Sequence, residues 1–461
     1  MKPFTLAEIS GITGGKIIQG NPDAVFRSVS TDSRNIREGD LFFALAGERY
    51  DAHSFLEEAA GAGAGGLVIS RRVELPAGLP VLMVNDTLAS LQVLAFNNRQ
   101  SCDAAVVGIT GSTGKTSTKD MVASVLAVRF NTLKTRGNLN NEIGLPLTLL
   151  AMDGDCQAAV VEMAMRGAGE IDALSRLARP NGAVITNIGE THLELLGTVS
   201  NIASAKGEIL EHIPPDGFAV LNAESPFIRR EAGRCRGKVV FFGIEQRADI
   251  MAVNIRPRGA GSRFRAVFDG GDGEFYLPVP GRHNVMNALA AIGVGLEMGL
   301  SAEEIARGLA GVSLTGMRLE ILEAGGLKVI NDAYNASPAS TRAALQVLKE
   351  IAVSRRTVAV LGNMLELGGR SAEGHREVGR AAAKLADCLV TVGDLASWIA
   401  EGALEAGMPE KSVFKCPGRD EAKDVLDGLL LEGDVVLVKG SRGMKMEQIV
   451  RHLLETRISN G

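Results

Sequence analysis

The stretch that most limits how this chain can fold runs from Ala104 to Thr116. A continuous apolar run, "AAVVGIT", ends in Gly111-Ser112-Thr113-Gly114 and passes directly into "KTSTKDMVASVLAV", where Met121, Val125 and Val128 share one stripe. That order predicts a buried strand, a tight turn and a helix. The glycines let backbone N–H groups approach phosphate oxygens, and the helix N-terminus adds a favourable dipole. Lys115 is then placed for β- and γ-phosphates and Thr116 for a Mg²⁺ ion. The spacing departs from the general phosphate-loop pattern, because five residues rather than four separate Gly108 from Gly114. The context still predicts nucleotide binding; the alternative is a chance glycine turn.

The rest of the chain is consistent with an α/β protein of three domains. At 461 residues it is too long for a single core. Residues 1–102 read as a small α/β unit, with strands in "VFRSVSTDSR", "DLFFALAG", "GLVIS" and "VLMV" and a helix in "HSFLEEAAGAGA". Residues 103–314 carry apolar runs without alternation, "AAVVEMA", "GAVITNI" and "FAVLNA", the mark of a parallel sheet covered on both faces. Within them, 248–280 shows short alternating runs and predicts a small antiparallel insert, followed by a helix in "RHNVMNALAAIGVGLEMG". From 315 to 461, "LKVINDA", "TVAVLG", "CLVTVG" and "DVVLVKG" alternate with helices beginning near Ser337, Ser371, Asp394, Arg419 and Met444. This predicts a doubly wound, Rossmann-like domain, with ligands beyond the carboxyl ends of its strands.

Charge and cysteine usage narrow the function classes. A net charge of −5 argues against a general nucleic-acid surface, which needs a basic face, but not against phosphate held at a local site. The cysteines (Cys102, Cys156, Cys235, Cys388, Cys416) are far apart and odd in number, the pattern of reduced thiols. There is no apolar leader run and no apolar stretch of membrane-spanning length. The expectation is a cytoplasmic, monomeric enzyme.

Several residues carry chemistry on position alone, each with a plainer alternative. Glu162 ends a strand beside the phosphate loop, where a carboxylate can hold a metal; it can equally be an exposed Glu. His192 follows "GAVITNI" as a ligand or a structural His. Lys206, inside a helix, reads as a solvated Lys. Asn284 and Asn287, at i and i+3, suit an adenine edge or helix capping. Arg318 lies at the boundary of the second and third units, and Asp332 at a strand end of the third. An Arg there can stabilise a transferring phosphoryl group and an Asp can bind ribose hydroxyls; an interdomain ion pair is the alternative. Ser30 to Arg34, "STDSR", is a polar loop or a plain turn.

Taken in order, "TGSTGKTSTK", "GNLNNEIGLP", "VEMAMRGAGEI", "ITNIGETHLELLG", "AKGEI", "GRHNVMNALAA", "GMRLE" and "NDAYNASPAS" resemble the Mur ligases over the whole chain. These are ATP-dependent amino-acid and peptide ligases of peptidoglycan synthesis. "NDAYNASP", "LGNMLELG" and "VKGSRGMKME" are similar to the branch that joins D-alanyl-D-alanine to UDP-N-acetylmuramoyl-tripeptide. They do not resemble the Asp-Asn-Pro-Arg motif of the diaminopimelate-adding branch. The resemblance implies that Ser30, Thr31, Asp32 and Arg34 hold the UDP part of the substrate. It implies that Thr116, Glu162, His192 and Lys206, the last carried as a carbamate, bind Mg²⁺, and that Arg318 and Asp332 reach ATP. It places Asn138, Asn140, Arg166, Tyr334, Asn335, Asn363 and Ser441 toward the substrates, with Asn363 where the family more often has Asp. Two other functions remain to be separated. One is a sister ligase adding a single amino acid, including folylpolyglutamate synthesis. The other is a nucleotide-dependent switch, for which the chain offers no basic surface.

Overall fold

The computed structural model describes residues 1–47 and 50–458. Its largest sheet is built on Ala105–Thr110, whose side chains from Val106 to Thr110 are all buried, as expected of a strand covered on both faces. The order across this sheet is Gly271–Leu277, Gly261–Phe268, Ile250–Arg258, Lys238–Gly243, Phe218–Asn222, Gly182–Ile185, Ala105–Thr110, Ala158–Glu162 and Thr132–Lys134. From Thr132–Lys134 as far as the pairing of Lys238–Gly243 with Ile250–Arg258 the strands are parallel. Every loop at their carboxyl ends therefore opens on one side, where the phosphate loop lies.

The antiparallel insert expected at 248–280 is not separate. Its three strands are antiparallel to one another but continue the same sheet. The cause is their alternation: Ile250, Ala252, Phe264, Ala266, Phe275 and Leu277 point inward and share a core with Val107 and Ile109. The helices Arg282–Glu297 and Ala302–Ala310 cover that core.

Residues near the N-terminus form a five-stranded sheet in the order Lys16–Gln19, Val81–Met83, Gly66–Ile69, Leu41–Phe43, Val29–Ser30. The helix expected at 53–64 is a short 3₁₀ turn, Ala52–Phe55, followed by Leu56–Gly61. A longer helix, Thr87–Gln100, was not anticipated. Asp86 caps it by accepting from the Ala89 N–H at 2.9 Å. Its far end is tied to the central sheet's helices: Asn98 donates to the carbonyls of Leu149 and Met152, and Arg99 to that of Ala178. One apolar core accordingly runs from Leu6 through Leu91 and Leu94 to Leu145 and Val161.

The third sheet has the order Glu320–Ala324, Leu327–Asp332, Val435–Lys439, Thr357–Gly362, Cys388–Val392, Val413–Cys416. All its pairings are parallel except the first, a hairpin turned at Gly325 and Gly326 with φ of 52° and 75°. Its helices are Pro338–Ala352, Ser371–Leu385, Ser397–Glu405, Arg419–Leu429 and Glu447–Ile458. The doubly wound reading holds. The helix expected near Asp394 begins at Ser397, and the one near Met444 begins at Glu447 after a 3₁₀ turn.

Candidate active site

The phosphate loop is held open by backbone that only glycine tolerates without strain. Gly111 has φ +147°, and a Cβ there would lie 1.9 Å from Thr186 Oγ1. Gly114 has φ +78°, and its Cβ would meet Asn287 Oδ1 at 2.7 Å. The neighbouring loop after Gly182–Ile185 braces this turn. Thr113 N–H donates to Asn187 Oδ1 at 2.9 Å, and Asn187 Nδ2 donates to Thr113 Oγ1 at 2.6 Å. Thr186 Oγ1 donates to Thr113 O, and Ser112 Oγ accepts from Gly189 N–H. Thr186 and Asn187 therefore belong to the site; the sequence marked their segment, "ITNIGETHLELLG", but assigned neither residue a role. Their signal was the conjunction "ITN" at a neighbouring strand end.

Lys115 and Thr116 begin the helix Lys115–Leu126. Lys115 Nζ donates to the Gly111 carbonyl at 2.8 Å, folding back over the loop. Burial lowers its pKa, Glu162 opposes the shift, and the Arg318 charge adds to it. Thr116 Oγ1 donates to Glu162 Oε2 at 2.8 Å, while Asn140 Nδ2 donates to Oε1 at 2.8 Å. Glu162 is 3% exposed, which overturns the reading of an ordinary exposed Glu. Its carboxylate is clamped by two donors, and its own N–H donates to Thr135 Oγ1 at 3.0 Å.

Lys206 is 1% exposed, so the solvated Lys read from its helix alone is corrected. It sits in the last turn of Val199–Gly207, where Ile202, Ala203 and Ala205 are buried beside it. Among the described residues its ammonium makes no hydrogen bond or ion pair. Burial, reinforced by the Lys115 charge, holds its pKa well below the usual lysine range. His192 adopts left-handed backbone with φ 66°. Its pKa is lowered to about 4 by burial first and then by Lys206, Lys115 and Arg166, so it is neutral near pH 7.

A cavity of ≈ 690 Å³ joins the phosphate loop to the third sheet. Of the expected residues, Ser112 to Thr116, Asn140, Glu162, Asn284, Asn287, Arg318, Asp332, Tyr334 and Asn335 line it. Asn284 and Asn287 are buried and bonded to each other, Nδ2 of Asn287 to Oδ1 of Asn284 at 3.2 Å. Arg318 stacks on Tyr334, with its guanidinium carbon 4.1 Å from the ring centroid, and its buried Nε has no partner. Asp332 accepts from Leu319 N–H at 3.2 Å and from Lys439 Nζ. His283 and Lys439 also line the cavity and were not singled out in the sequence.

Other expected residues lie outside the cavity's lining. Ser441 is buried, and its hydroxyl accepts from Leu365 N–H at 2.8 Å. Asn363 Oδ1 accepts from Ala396 N–H at 2.8 Å. Both shape the loop whose residues Leu365 to Leu367 face the cavity. Asn138 and Arg166 are exposed on loops. In the N-terminal sheet, Arg34 grips Asp32 through Nε and an Nη at 2.8 and 2.9 Å, which brings the Asp32 pKa down to about 2. Ser30 is buried and donates to Asp32 O, and Thr31 is half-buried beside it.

Known proteins share this arrangement. Residues 109–295 match the model of the Mur ligase middle domain, and 317–442 match that of the Mur ligase glutamate ligase domain. A UDP-N-acetylmuramoyl-tripeptide–D-alanyl-D-alanine ligase of Bacillus subtilis is 42% identical over 438 residues, 94% of each chain. The chain belongs to the Mur ligase family. A crystal structure of MurF from Acinetobacter baumannii superposes on this Mur ligase with a TM-score of 0.89 at 34% identity, covering 99% of both chains. MurF ligase from Thermotoga maritima in complex with ADP gives 0.81 at 28% identity, over 94% of this chain and 99% of that one. The family is ATP-dependent and forms peptide bonds. Among the described residues no helix is long and apolar enough to cross a membrane.

Proposed function

We propose that this Mur ligase joins D-alanyl-D-alanine to UDP-N-acetylmuramoyl-tripeptide at the expense of ATP, in the cytoplasm and as a monomer. The observation that carries the reading is the cavity in which the phosphate loop, Glu162 and Arg318 converge, in a chain similar end to end to ligases of that name. The division of labour proposed is UDP-substrate on residues 1–102, ATP on 103–314 and the dipeptide on 315–461.

The chemistry follows from leaving groups. A carboxylate does not react with an amine at neutral pH, because oxide would have to leave. Transfer of the γ-phosphoryl group to the tripeptide carboxylate releases ADP and creates an acyl phosphate. The dipeptide amine then attacks the carbonyl carbon, inorganic phosphate leaves, and the amine proton is lost. Two anions meet in the first step. Lys115, at the mouth of the loop, and Arg318, opposite it, offset their repulsion and the charge that builds on the transferring group. Glu162 accepts from Thr116 and Asn140 and so fixes both polar side chains on the cavity wall beside the loop.

Among the described residues, no cluster of three or more His, Cys, Asp or Glu is placed to hold a metal alone. Mg²⁺ keeps waters and substrate phosphate oxygens and is held through few protein ligands. Thr116, Glu162 and neutral His192 are the donors that would hold it, and bound there it would neutralise phosphate charge. Lys206 is the residue proposed to carry a carbamate: its amine adds to CO₂, an N–C bond forms and a proton leaves. The lowered pKa supplies the neutral amine this requires. The third domain's loop Leu365 to Leu367 lines one side of the cavity, and closure of that domain over the central one would keep water from the acyl phosphate.

Release of phosphate from ATP, measured with each substrate alone and with both, tests the reading. Turnover that requires UDP-N-acetylmuramoyl-tripeptide and D-alanyl-D-alanine together is expected. Turnover supported by a single amino acid in place of the dipeptide would favour a sister ligase instead.

A further inference from the structure

The segment that leads from the central sheet into the third is strained and tied at both ends. Met317 and Leu319, on either side of Arg318, both have left-handed backbone, with φ of 61° and 51°. Side chains disfavour that conformation, so the surroundings must impose the shape. On the third-domain side, Asp332 accepts from Leu319 N–H at 3.2 Å and Tyr334 N–H donates to Met317 O at 3.2 Å. On the central side, Thr315 donates through both its N–H and its Oγ1 to Asp120 Oδ2, each at 2.8 Å.

Asp120 is an unusual anchor. Its side chain is fully buried, and its other oxygen accepts from Lys134 Nζ at 2.6 Å with Lys119 Nζ at 3.3 Å. Those two cations and the Thr315 donors keep it ionised against the cost of burial. It also stands on the helix Lys115–Leu126, five residues and ~7.5 Å of rise beyond the lysine that opens the phosphate loop. One rigid element thus carries both the phosphate-binding turn and the tether of the strap that aims Arg318.

We propose that Asp120 is a positioning residue that acts through Thr315 to hold Arg318 against the nucleotide. The helix sets the distance between Lys115 and Arg318, although the two side chains come from different domains. The Arg318 Nε, buried and unpartnered, is the donor left for the ligand once the strap is fixed. This inference rests on the ligase reading for the identity of the reaction, but not for the geometry.

A double-mutant cycle tests it. Asp120→Asn and Thr315→Val are each made in the wild type and in an Arg318→Lys background. In the wild type each should lower kcat about tenfold, with KM for UDP-substrate unchanged. In the Arg318→Lys background each should cost little more, because the group they position is already misplaced. Losses that multiply in the double variants would overturn the proposal, since a merely structural Asp120 costs the same in either background. If Asp120→Asn does not fold, Thr315→Val carries the cycle alone. A wild type without ligase activity would sink the ligase reading. In that case the same cycle, read on the affinity for a non-hydrolysable ATP analogue, still decides whether the strap positions Arg318.

Discussion

At the residue scale, basic side chains crowd the site. Lys115, Lys206, Arg318 and Arg166 all act on one another or on His192. Like charges so placed oppose folding until bound phosphates offset them. Lys115→Ala should therefore leave the melting temperature nearly unchanged, or raise it, while kcat falls by about 10²–10³, the usual loss for a group that stabilises transition-state charge. A folded variant turning over near the wild-type rate would remove Lys115 from the mechanism. Lys206→Ala should lose most activity, and small carboxylic acids that fit the vacated space should restore part of it. A ¹³CO₂-labelled enzyme giving no carbamate signal at Lys206 would exclude the modification. His283 gives a pH prediction. Burial lowers its pKa from 6.5 to about 4, with Asp332 opposing and Lys439 assisting. Between those values the unfolded chain binds a proton that the folded one does not. Stability is thus complete above pH 6.5 and declines as pH falls toward 4, by at most ~3 kcal/mol and less for a side chain partly open to water. His283→Gln should flatten that part of the melting temperature–pH profile, and an unaltered slope would show that other groups dominate.

At the element scale, what could be read in advance were the segments whose local pattern and burial agree. The strand–loop–helix at Ala105–Leu126 was legible because its apolar run, its glycines and its helix stripe each point to one structure. The same holds for the third sheet's buried strands. Two kinds of element escaped. Thr87–Gln100 carries Asn97, Asn98, Arg99 and Gln100 in its last turn, residues whose polarity hides a buried role; Asn98 and Arg99 are inside because they satisfy carbonyls of a distant segment. The strands of 250–277 were recognised, but their alternation cannot say which sheet they join. That is fixed by the helix Arg282–Glu297, which covers them and the parallel strands together. In the site, residues of the glycine loop were legible, whereas the bracing roles of Asn187 and Asp120 were not, because their partners lie far along the chain. The loop's dependence on such braces is itself testable. Gly111→Ala would drive a Cβ into Thr186 Oγ1 and force a left-handed Ala. Nucleotide affinity should weaken about tenfold or more while the sheet stays intact. Calorimetric titration with ADP showing wild-type affinity would mean that the loop relaxes without cost.

At the scale of the whole molecule, the third domain is already seated on the central one. Arg370 pairs with Glu190 across the seam, His192 Nδ1 stands 4.0 Å from Glu366, and Gly368 lies against the Glu194 side chain. Two views of that seam are possible: a latch that holds the domains together, or contacts that form because ligands bring the domains together. Magnitudes decide between them. The Arg370 and Glu190 side chains are 42% and 39% exposed, and such a pair is worth about 0–1 kcal/mol in water. A bias of that size moves a two-state equilibrium by about fivefold at most, whereas a change from mostly open to mostly closed requires ~5 kcal/mol. Phosphates binding Lys115 from one domain and Arg318 from the other can supply energy on that scale, because each adds charge-assisted hydrogen bonds that exist only when both domains reach the ligand. Arg370→Ala should therefore change kcat at saturating substrates by no more than about threefold. In small-angle scattering, the variant and the wild type should reach the same radius of gyration with an ATP analogue and UDP-substrate bound. Without ligands the variant should be the more expanded of the two, and raised salt should move the wild type in the same direction. A variant that stays expanded with both ligands bound would make the surface pair the latch and the cavity contacts secondary.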